Sequence, residues 1–198
     1  MRLRAATTVS GAAVSCLAAV MTLGLAGGVR ADEFHHIRGT DGDDRLRGTA
    51  LADDMRGERG DDRLWGYAGA DVLSGGPGAD VLAGGAGVDG LYGRSGADVL
   101  RGGRGADHLW GGGGNDFVSG GRGPDHLYGG PGDDRVENEI GRDRIDLGAG
   151  DDSYVDWRVD GRRDVIRCGP GDDSVGYWGD PDPADRLHGC ERVVDIAH

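Results

Sequence analysis

The chain has an economical hydrophobic pattern, with one large apolar residue every nine positions. From Gly39 to Glu137 it divides into eleven consecutive blocks of nine. The eighth position is apolar throughout: Leu46, Met55, Leu64, Leu73, Leu82, Leu91, Leu100, Leu109, Val118, Leu127 and Val136. Positions seven to nine read polar or mixed, apolar, mixed, which predicts a very short strand with its middle side chain inward. The six residues before them are rich in Gly and predict a turn, because Gly takes positive φ without steric cost. A unit with one apolar residue buries too little to stand alone, so the blocks must stack. Two blocks make a coil of eighteen residues, and stacked coils pair their strands in parallel around a thin core. At about 4.8 Å per coil, the regular region covers roughly 25 Å. The predicted fold class is all-β, a right-handed parallel β-roll (a β-solenoid).

Two further positions hold the same phase. Position one is Gly in every block, and position six is always Asp: Asp44, Asp53, Asp62, Asp71, Asp80, Asp89, Asp98, Asp107, Asp116, Asp125 and Asp134. Aspartates eighteen apart fall on the same edge of neighbouring coils. Two carboxylates about 4 Å apart repel by about 4 kcal/mol at an effective dielectric near 20, which a thin core cannot absorb. A counter-cation is therefore required. Carboxylates and turn carbonyls are hard ligands that suit Ca²⁺ with its six to eight oxygens, whereas Mg²⁺ prefers to keep its waters. Zinc would want His or Cys, which the repeats lack in quantity.

The blocks resemble the RTX nonapeptide, or hemolysin-type calcium-binding repeat, with the pattern Gly-Gly-x-Gly-x-Asp-x-(apolar)-x. Gly102-Gly103-Arg104-Gly105-Ala106-Asp107-His108-Leu109-Trp110 carries it in full. The resemblance implies several Ca²⁺ ions between the turns of adjacent coils. One turn would supply the carbonyls of positions two and four with its Asp. The turn eighteen residues on would supply the carbonyls of positions one and three with its own Asp. One such site would use Gly103, Gly105 and Asp107 with Gly120, Arg122 and Asp125. Another would use Gly76, Gly78 and Asp80 with Gly93, Ser95 and Asp98. Gly85 and Gly87, and Gly112 and Gly114, would serve likewise. Departures from the pattern include Leu51 at position four, and Glu58, Tyr67 and Arg94 at position two. The first coil is thus expected to bind weakest, with Asp53 a doubtful ligand.

Past Glu137 the six-and-eight relation persists in Asp143/Ile145, Asp152/Tyr154, Asp164/Ile166, Asp173/Val175 and Asp185/Leu187. Asp152 to Asp173 and Asp164 to Asp185 are each 21 residues, so the coil lengthens by three. Trp157 and Trp178, also 21 apart, would then stack. Cys168 and Cys190 are 22 apart, close to one coil, and one bridge between them is the natural reading. Free thiols or an intermolecular bond are the alternatives. A disulfide-closed cap over the roll's open end is expected.

Residues 1–31 have a short basic start, an apolar stretch and Val29-Arg30-Ala31 before Asp32, the pattern of a secretory signal peptide. A retained membrane anchor is the alternative, since the segment is about long enough to span. The expected organisation is signal peptide 1–31, short segment 32–38, regular roll 39–137 and degenerate cap 138–198, with no membrane span after cleavage. Removing the signal would leave 19 basic against 35 acidic residues, moving the net charge from −13 to −16. Such a chain repels phosphate backbones, which argues against nucleic acid as a partner.

Positions seven and nine should face outward, where Tyr92, Trp110 and Tyr128 recur every eighteen residues with His108 and His126 beside the latter two. This column could meet a cell-surface or polysaccharide partner, or simply reflect the suitability of aromatics for strands. No catalytic constellation emerges, and Thr40 and Thr49 are too few for an ice-binding array. The expectation is a secreted, monomeric, non-catalytic calcium-binding protein, with an adhesin or carbohydrate-binding module as the alternative.

Overall fold

The computed structural model describes residues 34–138, 140–158, 160–178 and 181–196, so the signal segment expected over 1–31 lies outside the described residues. Eighteen strands follow one another, with no helix among the described residues. The first six are β1 (His35–Arg38), β2 (Arg45–Arg47), β3 (Asp53–Arg56), β4 (Arg63–Ala68), β5 (Val72–Pro77) and β6 (Val81–Ala86). The middle six are β7 (Gly90–Ser95), β8 (Val99–Arg104), β9 (His108–Gly113), β10 (Phe117–Arg122), β11 (His126–Pro131) and β12 (Arg135–Asn138). The last six are β13 (Arg144–Ala149), β14 (Ser153–Asp156), β15 (Val165–Arg167), β16 (Ser174–Tyr177), β17 (Arg186–His188) and β18 (Arg192–Asp195).

The odd-numbered strands form one nine-stranded sheet and the even-numbered strands another, each in sequence order and parallel throughout. This is the predicted parallel β-solenoid of nine coils. Turns passing from an odd to an even strand make its first edge, and turns passing back make its second.

Partners lie eighteen residues apart through the regular region, as in Leu109↔Leu127 and Leu82↔Leu100. All the position-eight residues from Met55 to Val136 are fully buried, forming two facing columns. Each such burial contributes about 1.5–3 kcal/mol, collected one residue per block.

The strands are longer than the three residues predicted. Most regular ones run six residues, from position seven through position three of the next block, with the burial alternation continuing into the glycines. Position one is thus a second inward-facing site, and only positions four to six turn. The glycines consequently serve two different needs. Gly103 and Gly105, at positions two and four, have φ of 115° and 147°, which L side chains avoid. Position-one Gly102 has an ordinary φ but no room, since a Cβ there would lie 2.6 Å from Asp107 Oδ2 and 2.7 Å from the Gly120 carbonyl. Of the five non-glycine residues at position two, three keep the left-handed backbone, with φ of 84° at Glu58, 75° at Tyr67 and 91° at Arg94, whereas Thr40 and Thr49 do not.

Beyond Val136 the pairing step becomes 21, as in Ile145↔Ile166, Tyr154↔Val175 and Ile166↔Leu187. It returns to eighteen for Val175↔Val193. Trp157 and Trp178 meet at 5.7 Å. Cys168 and Cys190 form a disulfide with Cα atoms 5.1 Å apart, joining the last two coils of the odd-numbered sheet's edge.

Candidate calcium sites

The position-six aspartates are held by the roll itself. In each regular coil one carboxylate oxygen accepts the backbone N–H of the aspartate one coil earlier. Asp62 N donates to Asp80 Oδ1 at 2.8 Å, Asp89 N to Asp107 Oδ1 at 2.9 Å, and Asp107 N to Asp125 Oδ1 at 2.8 Å. The first-edge ladder runs unbroken from Asp44 through Asp134, Asp152 and Asp173 to Glu191. The second runs from Asp53 through Asp143 and Asp164 to Asp185.

With Oδ1 committed, Oδ2 faces inward and has no protein partner. On the first edge this holds for Asp62, Asp80, Asp98, Asp116, Asp134, Asp152 and Asp173, and on the second for Asp71, Asp89, Asp107 and Asp125. All are buried. A buried carboxylate oxygen without a partner is costly. Burial pushes Asp71, Asp89, Asp98 and Asp134 up to about 7 and Asp125 to about 8, against the lowering effect of the ladder hydrogen bonds.

Backbone carbonyls converge on the same gaps. A side chain on Gly103 or Gly105 would run into the carbonyl of Gly85 or Gly87, so the position-two and position-four carbonyls face the following coil. The position-one carbonyl of Gly120 faces back toward Gly102. The position-three carbonyl of Arg122 also faces back, accepting Gly105 N at 2.9 Å. Gly76 and Gly78 approach the carbonyls of Glu58 and Gly60, and Gly112 and Gly114 those of Arg94 and Gly96, in the same way. Each gap thus offers only oxygen, with two buried carboxylates and neutral carbonyls from both sides. Such a donor set fits a hard divalent cation of flexible coordination, as Ca²⁺ is.

The first coil is built differently. Asp44 Oδ2 accepts from Thr40 N at 2.6 Å and from its hydroxyl at 2.9 Å. Asp53 Oδ2 does the same with Thr49, at 2.7 and 3.2 Å. Here the chain's own donors occupy the oxygen that stays orphaned elsewhere.

Asp152 and Asp173 were not singled out as ligands by the sequence, yet they share the orphaned geometry, and Gly148/Gly150 and Gly169/Gly171 retain positive φ before them. The preceding position-one residues are Leu147 and Cys168, a departure that disguised these turns. Glu191 escaped notice because it is not an aspartate, although Val193 stands two residues on as the pattern requires.

The aromatic column forms as spaced. Tyr92 and Trp110 stack at 4.7 Å and 2°, and Trp110 and Tyr128 at 5.5 Å and 4°. Arg94 lies over Tyr92 at 5.2 Å.

No curated protein matches the chain. A family model described as the RTX calcium-binding nonapeptide repeat matches in overlapping windows, the first over 38–73 and the last over 119–154. Together they cover more than half of the 198 residues. With its period of nine, its parallel coils and its columns of buried aspartates, the chain belongs to the RTX calcium-binding nonapeptide repeat family, whose repeats bind Ca²⁺.

Proposed function

We propose that this is a secreted, non-catalytic calcium-binding protein whose roll is completed by calcium. The observation that carries this reading is the row of buried Oδ2 atoms without partners on both edges. The proposed ligands on the second edge are Asp71, Asp89, Asp107 and Asp125, with carbonyls such as those of Gly85, Gly87, Gly103 and Gly105. On the first edge they are Asp62, Asp80, Asp98, Asp116 and Asp134 with carbonyls such as those of Gly76, Gly78, Gly112 and Gly114, continuing to Asp152 and Asp173. Asp44, already satisfied by Thr40, contributes least. Bound calcium supplies positive charge to a core that otherwise buries carboxylates without compensation.

The protein's own residues do the rest. The ladder hydrogen bonds fix each carboxylate, position-one glycines leave it space, and the position-eight column joins neighbouring coils. Because so little apolar area is available per residue, ion binding and folding are one event. The signal-like residues 1–31 and the secreted habit of RTX proteins support an extracellular setting, where calcium is plentiful.

Circular dichroism during a calcium titration, reversed with chelator, tests the reading. The β signal should rise with calcium and collapse on chelation. Full β signal and an unchanged melting point in chelator would overturn it.

The alternative, an adhesin or carbohydrate-binding module, draws on the column Tyr92, Trp110 and Tyr128. Those rings stack face to face on one another, so the shared faces are occupied, which suits strand packing better than sugar stacking. Loss of glycan binding in Trp110→Ala with Tyr128→Ala, at unchanged calcium response, would favour it.

A further inference from the structure

The second edge changes character after Asp125. Its inward first position carries Asn138, Asp156 and Tyr177 in successive coils instead of glycine. Asn138 precedes its aspartate, Asp143, by the usual five residues. Asp156 precedes Asp164 by eight, and Tyr177 precedes Asp185 by eight. At Asp156 and Tyr177, though not at Asn138, three added residues lengthen the turn where the glycine is lost. Asp160 and Asp182 tie successive turns together, accepting Gly141 N at 3.1 Å and Gly161 N at 2.8 Å.

Inside this lengthened edge, carboxylate oxygens of Asp156, Asp164 and Asp185 lie within 4.8 Å of one another. Asp156 and Asp164 are only 5% and 6% exposed. No ion pair of the described residues reaches any of the three. A second, independent feature points the same way. The Tyr154 hydroxyl is fully buried without a hydrogen-bond partner. It feels the charges of Asp156, Asp164, Asp143 and Asp185 together, which sets it against the cluster. Tyr177 OH donates to Asp185 Oδ2 at 3.2 Å, fixing the third carboxylate from the far side.

We propose that Asp156, Asp164 and Asp185 form a separate calcium site built from side chains. Three carboxylates give it more negative charge than a glycine turn, which supplies two and completes its shell with carbonyls. The oxygen-only donors again select a hard cation, and a shell of three carboxylates set by the backbone, with no ideal octahedron imposed, favours Ca²⁺ with its variable coordination over Mg²⁺. The site lies beyond residue 154, where the nonapeptide matches end, and it uses none of the glycine turns.

Crystals of the full chain grown with Tb³⁺ in place of calcium test this by anomalous scattering. The expected result is a peak among Asp156, Asp164 and Asp185 in addition to peaks in the glycine turns. Peaks in the glycine turns alone would overturn this site and leave the proposed function standing, whereas no peak anywhere would overturn both. Calcium stoichiometry by equilibrium dialysis gives a second readout. Asp156→Asn should bind one ion fewer per chain while keeping its calcium-induced β signal. An unchanged stoichiometry in the folded variant would overturn the site, and the terbium crystals of the natural sequence decide the matter if the variant does not fold.

Discussion

The backbone amide of Asp107 donates to a carboxylate oxygen of Asp125, eighteen residues on, at 2.8 Å. That bond ties every coil to the next at the point where charge is buried, so protonation and calcium compete for the same group. In the unfolded chain these aspartates titrate near 4. In the folded roll burial raises Asp71, Asp89, Asp98 and Asp134 to about 7 and Asp125 to about 8. The calcium-free fold therefore holds more protons than the unfolded chain between those limits. Their contribution to its stability is fully present below about pH 4 and is lost as pH rises through about 7 to 8. Calcium binds the ionised form, which the unfolded chain already holds at these pH values, so added protons stabilise only the calcium-free fold. The calcium concentration at half-folding, read by circular dichroism, should therefore fall at each step from pH 8 to 7 to 6. A constant midpoint would contradict burial as the cause.

The two roles of glycine separate in a pair of substitutions. Gly102→Ala places a methyl against Asp107 Oδ2 and the Gly120 carbonyl, and should cost about 1–3 kcal/mol. Gly113→Ala meets nothing within 4 Å at an ordinary φ, and should be neutral or stabilise by up to about 1 kcal/mol. Urea denaturation in saturating calcium distinguishes them.

Tyr67 is half exposed at a φ of 75°, a conformation that costs an L residue about 1–2 kcal/mol. Glycine relieves this strain but returns about 0.5–1 kcal/mol as backbone entropy. Tyr67→Gly is thus expected to stabilise the calcium-loaded roll by about 0.5–1 kcal/mol. Leu51→Gly, where φ is not positive, should bring no such gain; melting temperatures provide the comparison.

Reducing Cys168–Cys190 removes a crosslink over 22 residues, worth about 3 kcal/mol. The loss should be local. Trypsin in the presence of calcium is expected to cut first at Arg167 or Arg186 after reduction, with the region 39–137 still protected. Uniform cleavage along the chain would show that the bridge supports the whole roll.

The coil, its contents and the chemistry of its edges were legible because Leu109 and Asp107 each recur at fixed intervals, and both residue types have one plausible use there. Glycine was less informative. The same letter at positions one and two answers a lack of space in one case and a positive φ in the other, so strands extending through Gly102 and Gly103 could not be told from turns. Asp156 carries no signal in the sequence, because only the coil brings it beside Asp164 and Asp185. The first coil's departure from the pattern was visible at Leu51, whereas Thr40 and Thr49 filling the second oxygen of Asp44 and Asp53 became legible only in the folded chain.

The step from eighteen to 21 residues per coil has a consequence for how the chain finds its alignment. Within 39–137 every coil can pair with any other at nearly equal energy, since a slip of eighteen residues brings Leu over Leu and Asp over Asp. Translational symmetry of that kind invites frame errors. The longer coils end it, because only one alignment seats Asp156 beside Asp164 and Cys168 over Cys190. The irregular end thus acts as the ruler's zero mark, from which the identical divisions before it can be counted.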